Sequence, residues 1–249
     1  MSGSACPSMG FGCQELVLFG PARRAGVRLW LLNFSALPES MRHYASVLTA
    51  DEKERWRRFR CPRAAFGYAA CRWHLRCLLL SLFGKQAVAW RIGVRSCGKP
   101  FVQAPPGRFT PFFNLSHSGS YGCIAVAAGQ PVGVDIEPHE PHAWLGAVQR
   151  RWHATERRHA RRGTAAFYDI WTRKEAVLKA RGCGFGDATV PEPLVLAAPI
   201  EAQGAPDLGR PLRVGDVRLV SVPAGADVSL ALAWWPGGRT AEQQHQLEV

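Results

Sequence analysis

The sequence predicts an α+β protein in which helices and short strands mix through both halves of the chain. Three observations carry that expectation. Short apolar runs such as VRLWLLNF (27–34), YGCIAVAA (121–128) and VGVDIE (132–137) recur between turn-forming residues, as strands do. Longer stretches carry helix signals: a capping-box pattern at Thr49 to Glu52, and a glycine stop at Gly84. Hydrophobic residues make up 47% of the chain and charged ones 20%, which is enough apolar surface for a packed core.

Taken in order, residues 1–14 read as a flexible extension and 27–34 as a buried strand. Thr49 and Glu52 open a helix, TADEKERWRRFRC, whose Arg55, Arg57, Arg58 and Arg60 form a basic face. After Pro62 a second helix, RAAFGYAACRWHLRCLLLSLF, ends at Gly84, with His74 as a surface or packing residue. AVAWRIGV (87–94) predicts a strand and RSCGKPFV (95–102) a turn leading into another; QAPPGRFTP (103–111) is a Pro/Gly-rich boundary. FNLS, YGCIAVAA and VGVDIE follow as strands, then two or three helices over 142–181. LVLAAPI, LRVGDVRLVSV and DVSLALAWW read as strands and PGGRTAEQQHQLEV as a polar tail. The expected organisation is an extension (1–14), an N-terminal half (15–105), a C-terminal half (106–235) and a tail (236–249).

The 31 Lys and Arg against 19 Asp and Glu give a net charge of +12, which implies an anionic partner without naming it. Eight cysteines are scattered, several in apolar runs, and no CxxC occurs, so buried reduced thiols are expected rather than disulfides or zinc. No window approaches the ~18 uninterrupted apolar residues of a membrane span, and no secretory leader stands at the start; a cytoplasmic protein is expected.

The stretch from Pro111 to Glu137 combines core-like hydrophobicity with Ser116, His117, Ser118, Asp135 and Glu137. Alternation puts Val134 and Ile136 on one face of a strand and Asp135 and Glu137 together on the other. At ~4 Å and an effective dielectric of ~20, two carboxylates repel by roughly 4 kcal/mol, so the pair wants a cation, a shared proton or open water. In WTRKEAVLKARGCGF (171–185), Trp171, Glu175 and Lys179 are spaced to line one helical face. Taken alone, a solvated acidic strand end and a plain helix ion pair account for these features equally well.

The conjunction FNLSHSG, PVGVDIE and WTRKEAVLKARGCGF, in that order, resembles the Sfp-type 4′-phosphopantetheinyl transferase family. The likeness covers roughly residues 48–185. It implies two similar α/β halves with pseudo-twofold symmetry and a site in the cleft between them. It also implies transfer of the phosphopantetheine arm of coenzyme A to a serine of an acyl or peptidyl carrier protein, releasing adenosine 3′,5′-bisphosphate. Mg²⁺, for which Mn²⁺ is a possible substitute, would be held by Asp135, Glu137 and Glu175. Glu175 would also serve as base and Lys179 would offset phosphate charge. Coenzyme A would meet Arg55, the Gly98-Lys99-Pro100 turn, Asn114, Ser116, His117, Asp135 and Lys179. Relatives of this type are typically monomers. Glu156 stands where the family has another acid, and either a site role or a helix-surface charge is open to it. The sequence departs from the family at RRWHATE, at Glu52, where some relatives carry a base, and at Cys183, where a lysine is common.

Carrier proteins of this kind are acidic, and Arg150, Arg151, Arg157, Arg158, Arg161 and Arg162 cluster just after the acidic strand. Arg157 and Arg161 are therefore candidates for carrier docking; the alternative is a face that only confers solubility. Two other functions fit parts of the sequence. A Mg²⁺-dependent phosphohydrolase would use the same carboxylates, but SHSG and KExxxKxxGxG favour the transferase. A nucleic-acid binder would want arginines interleaved with exposed aromatics. The tryptophans fall in apolar runs instead, so neither nucleic acid nor membrane is an expected partner.

Overall fold

The computed structural model describes residues 12–18, 20–38, 41–182 and 212–236. In chain order its elements are β1 (Cys13–Leu16), α1 (Gly20–Arg24), β2 (Val27–Asn33), α2 (Met41–Ala45), α3 (Ala50–Arg57), α4 (Pro62–Phe83), β3 (Arg91–Val94) and β4 (Pro100–Gln103). They continue with β5 (Phe112–Ser118), β6 (Tyr121–Ala127), β7 (Val132–Pro138), α5 (Leu145–Gln149), α6 (Ala154–Ala160), α7 (Thr164–Arg181), β8 (Leu212–Val214), β9 (Val217–Ser221) and β10 (Val228–Trp234). The predicted mixture of helices and short strands is what forms.

Two four-stranded sheets organise the molecule, ordered β1-β2-β6-β5 and β7-β10-β9-β8, with β3 and β4 as a separate hairpin. The sheets share a core in which Leu29, Cys123 and Ala125 of the first meet Val134, Ile136, Leu230 and Leu232 of the second. On the far side of the first sheet, α4 buries Cys71, Leu75 and Leu78 against Trp30, Leu32 and Ile124. On the far side of the second, α7 buries Phe167, Ile170, Ala176 and Ala180 against Leu219, Ala231 and Ala233. Each sheet thus has one apolar face on its partner sheet and one under a long helix, which explains why β6 and β10 are largely apolar on both faces.

Local signals act as the sequence implies. Thr49 Oγ1 accepts from Glu52 N while a Glu52 carboxylate oxygen accepts from Thr49 N, closing the capping box of α3. Pro62 opens α4 at its first turn, and Gly84 ends it with φ +59, a conformation glycine adopts without strain. His74 is a packing residue, its Nδ1 2.8 Å from Ala70 O.

Three expectations change. Cys13 and Gln14, assigned to the extension, pair with Leu32 and Leu31, because the edge of β2 offers unsatisfied backbone groups. The strand expected over 87–94 is only Arg91–Val94, since residues 84–89 wind into a 3-10 turn that continues out of α4. Nor does the chain change sheets at the 103–111 stretch: β5 and β6 pair within the first sheet, and the second begins with β7 after the 128–131 turn. The Pro/Gly-rich stretch signals a loop, and only strand pairing decides which sheet the chain enters next. The LVLAAPI strand and residues 237–249 of the tail lie outside the described residues. Among the described residues, no helix is long and apolar enough to cross a membrane.

Candidate active site

The site forms at the seam where edge strand β5 meets edge strand β7 and α7 crosses above. Its geometry starts with Gly133. A Cβ at this position would lie 2.0 Å from Ala176 O and 2.3 Å from Ala180 N, so only glycine lets α7 sit this close to β7. That approach brings the outward residues of β7 against the last turns of the helix. Val134 and Ile136 are fully buried in the shared core, and Asp135 stands opposite them, 2% exposed. Along α7, Trp171, Glu175 and Lys179 form the half-buried stripe expected from their spacing, between fully buried neighbours.

Asp135 Oδ1 accepts from Lys179 Nζ at 2.6 Å and from Ser116 Oγ at 2.7 Å, while Lys179 Nζ also reaches Ser116 Oγ at 3.0 Å. Asp135 Oδ2 is buried and makes no hydrogen bond. Burial would lower the Lys179 ammonium, but the Asp135 and Glu175 charges outweigh it and its pKa is raised. Burial, then the Asp135 charge, pushes the Glu137 carboxyl up to about 7, against a hydrogen bond from Ser118. Glu175 is likewise raised to about 7, by burial and then by Asp135. The three carboxylates therefore feel one another, as the alternation of β7 predicts. Among the described residues, however, no three His, Cys, Asp or Glu side chains converge closely enough to hold a metal ion. Lys179 and Ser116 occupy one oxygen of Asp135. The donor set still suits a hard divalent cation: all its atoms are carboxylate oxygens, and one of them, Asp135 Oδ2, is buried without a partner.

A basic cluster adjoins these carboxylates. His117 lies 6.2 Å from the Phe59 ring and 6.4 Å from the Tyr68 ring. The Arg55 and Arg72 guanidinium carbons sit 5.8 Å and 5.3 Å from the Tyr68 centroid. Burial and then the charges of Lys179, Arg72 and Arg55 lower the His117 pKa to about 4, so its imidazole is neutral at neutral pH. Arg72 is 3% exposed, and its Nε and Nη1 have no hydrogen-bond partner. Glu52, 5% exposed, approaches Arg72 Nη1 at 3.5 Å and pairs with Arg76 at 2.7 Å. The acid that departs from the family pattern thus supports a buried arginine. Sequence reading missed Arg72, although its spacing from Tyr68 and Arg76 along α4 was available as a signal.

Other expected site residues have different partners. Asn114, 3% exposed, accepts from Val134 N at 2.9 Å through Oδ1 and so ties β5 to β7. Lys99 Nζ donates to Val132 O at 3.3 Å and to Lys179 O. Expected at the substrate phosphates, both commit polar atoms to backbone across the seam. Lys99 and Pro100 also line a cavity of about 290 Å³, with Phe101, Phe112, Pro131 and Ala180. Gly98 lies in the turn before them at φ +82. Glu156 is fully buried: one oxygen closes a capping box with His153 N and the other is 2.8 Å from Lys174 Nζ. It fastens α6 to α7 and is not a helix-surface charge, one of the two readings open to it. Arg161 is exposed, and half-buried Arg157 donates to Arg150 O at 3.3 Å.

Fold and site together define a mixed α/β protein whose inter-sheet seam sets coupled carboxylates and a lysine beside a largely buried basic cluster. Residues 131–206 match the model of the 4′-phosphopantetheinyl transferase superfamily. The chain is 31% identical over 149 residues to a putative 4′-phosphopantetheinyl transferase of Synechocystis sp., covering 57% of this chain and 59% of that protein. It is 29% identical over 164 residues to the 4′-phosphopantetheinyl transferase HetI of Nostoc sp., covering 64% and 69%. It is 26% identical over 151 residues to the 4′-phosphopantetheinyl transferase Sfp of Bacillus subtilis, covering 59% and 65%. The chain thus spans between 59% and 69% of the length of these relatives. Over these stretches the chain is similar to proteins of the 4′-phosphopantetheinyl transferase superfamily.

Proposed function

We propose that this protein transfers the 4′-phosphopantetheine arm of coenzyme A to a serine of an apo acyl or peptidyl carrier protein and releases adenosine 3′,5′-bisphosphate. The observation that carries this reading is the juxtaposition of Asp135, Glu137, Glu175 and Lys179 with the cluster of Arg55, Arg72 and His117. The pyrophosphate of coenzyme A needs cations at two phosphorus centres, and its 3′-phosphate needs an anchor of its own.

In this reading the unpartnered Arg72 donors, Arg55 and the neutral His117 ring hold the 3′-phosphate, and the cavity lined by Phe101 and Phe112 takes the nucleotide. Asp135, Glu137 and Glu175 are the residues that would hold Mg²⁺, which when bound supplies charge neutralisation to the pyrophosphate. The carrier serine oxygen attacks the phosphorus that bears pantetheine, the bond from that phosphorus to the bridging oxygen breaks, and adenosine 3′,5′-bisphosphate leaves with the oxygen. The serine proton passes to Glu175, directly or through a water. Lys179 offsets charge on the transferring phosphoryl group. Arg157 and Arg161 belong to the docking face for the acidic carrier. A monomer acting in the cytoplasm completes the proposal.

The test is direct. Incubated with coenzyme A, Mg²⁺ and an apo carrier protein, the enzyme should add the mass of one phosphopantetheinyl arm to the carrier. An unmodified carrier, with coenzyme A hydrolysed instead, would replace the transferase by a phosphohydrolase.

A further inference from the structure

The hairpin of β3 and β4 reaches across to the second sheet through the Lys99 side chain. Gly98 N donates to Arg95 O at 2.8 Å, and Arg95 N donates to Lys99 O at 2.9 Å, so the turn is closed on both sides of Gly98. This locks the Lys99 backbone at the start of β4, and its ammonium ends on two carbonyls of the other half. One is Val132 O, at the first residue of β7; the other is Lys179 O, in the last turn of α7. The final carbonyls of a helix lack intrahelical partners and carry the negative end of its dipole, so a cation placed there is favoured. Gly182 N, at 3.3 Å, also donates to Lys179 O, leaving that carbonyl room for a second, stronger donor.

β7 and α7 are the two elements that carry Asp135, Glu137, Glu175 and Lys179. We infer that Lys99 is a positioning residue: it caps α7 and the start of β7 from the opposite half and thereby holds Lys179 in register with Asp135. In that role it is not a ligand of a substrate phosphate. Asn114, which takes the Val134 amide two residues along β7, is the second tie of the same seam. The kinetic part of this inference rests on the proposed transferase activity; the structural part does not.

Two measurements on Lys99→Met and Lys99→Arg test it. The first is amide hydrogen exchange in the substrate-free protein. A lost charge-assisted hydrogen bond should speed exchange in the last turn of α7 and at the start of β7 roughly tenfold or more in Lys99→Met. Lys99→Arg should restore protection. The second is steady-state kinetics with coenzyme A and with dephospho-coenzyme A. Lys99→Met should lower kcat about tenfold and leave the ratio of the two KM values as in the wild type, because misplacement of a reacting group acts on the chemical step. Unchanged exchange would overturn the inference. So would a raised KM for coenzyme A alone at constant kcat, which would make Lys99 a 3′-phosphate ligand. If wild-type protein transfers nothing, the proposed function fails while the exchange result still decides the role of Lys99. Should Lys99→Met not fold, Lys99→Gln, which keeps a neutral donor, should give a smaller acceleration, and none would again overturn it.

Discussion

Replacing Gly133 by Ala tests whether the close contact of β7 with α7 builds the site. The new Cβ would meet Ala176 O at 2.0 Å, Ala180 N at 2.3 Å and Lys179 C at 2.9 Å, all of them backbone atoms of one helix. Carbon normally keeps ~3.5 Å from its neighbours, so helix and strand must part by more than 1 Å. No flexible side chain can yield in their place. Gly→Ala at a compatible backbone position stabilises by about 0.4–1 kcal/mol through the unfolded chain, whereas overpacking a core costs about 1–3 kcal/mol and sometimes more. With backbone atoms this close, the upper end applies and sterics win. A net loss near 2–3 kcal/mol corresponds to a Tm lower by roughly 4–12 °C for a chain of this size. The same displacement would stretch the 2.6 Å Lys179–Asp135 contact beyond hydrogen-bond range, so transfer should fall further than stability. Gly129→Ala is the control, because nothing lies within 4 Å of a Cβ there. Thermal melts of both variants beside carrier-labelling rates decide the matter. A Gly133→Ala protein with wild-type Tm would refute the packing argument, and one with reduced Tm but wild-type kcat would separate the contact from the chemistry.

Glu137 and Glu175 hold their protons to about 7 in the fold, above the ordinary 4.5, so the unfolded chain releases protons that the folded one keeps. Their contribution to apo-protein stability therefore falls as pH rises from about 4.5 to about 7 and then levels. Glu137→Gln and Glu175→Gln should stabilise the apo-protein more at pH 8 than at pH 5 in urea melts; an equal effect at both would contradict the shifts. Arg72→Ala should weaken coenzyme A binding by about tenfold to a hundredfold, as expected of a charge-assisted contact of ~1.5–3 kcal/mol, and dephospho-coenzyme A binding much less. Titration calorimetry with both ligands checks this, and a parallel loss would remove Arg72 from the 3′-phosphate. Arg157→Glu combined with Arg161→Glu should raise the KM for carrier and flatten its salt dependence, since exposed charges act over about 8–10 Å at physiological salt. An unchanged carrier KM at low and high salt would return these arginines to the solvated face.

The parts of this protein legible in its sequence are those set by local periodicity. Alternation in VGVDIE put Val134 and Ile136 in the core and Asp135 and Glu137 on the opposite face. The four-residue spacing of Trp171, Glu175 and Lys179 produced the half-buried stripe on α7, and the Thr49–Glu52 capping box formed as written. Tertiary structure decided what depends on residues distant in the chain. Lys179 could have paired with Glu175 one turn away; burial beside β7 gave it Asp135, 44 positions distant, because Gly133 lets the helix descend onto the strand. Glu52 read as a capping-box residue and Glu156 as either a site acid or a surface charge, yet each is buried against a cation from a longer helix, Arg72 and Lys174. Lys99 and Asn114 carry donors and acceptors that a sequence assigns to a ligand as readily as to backbone. Which they meet is settled only when the two sheets close on each other and leave carbonyls and amides at the seam without partners of their own.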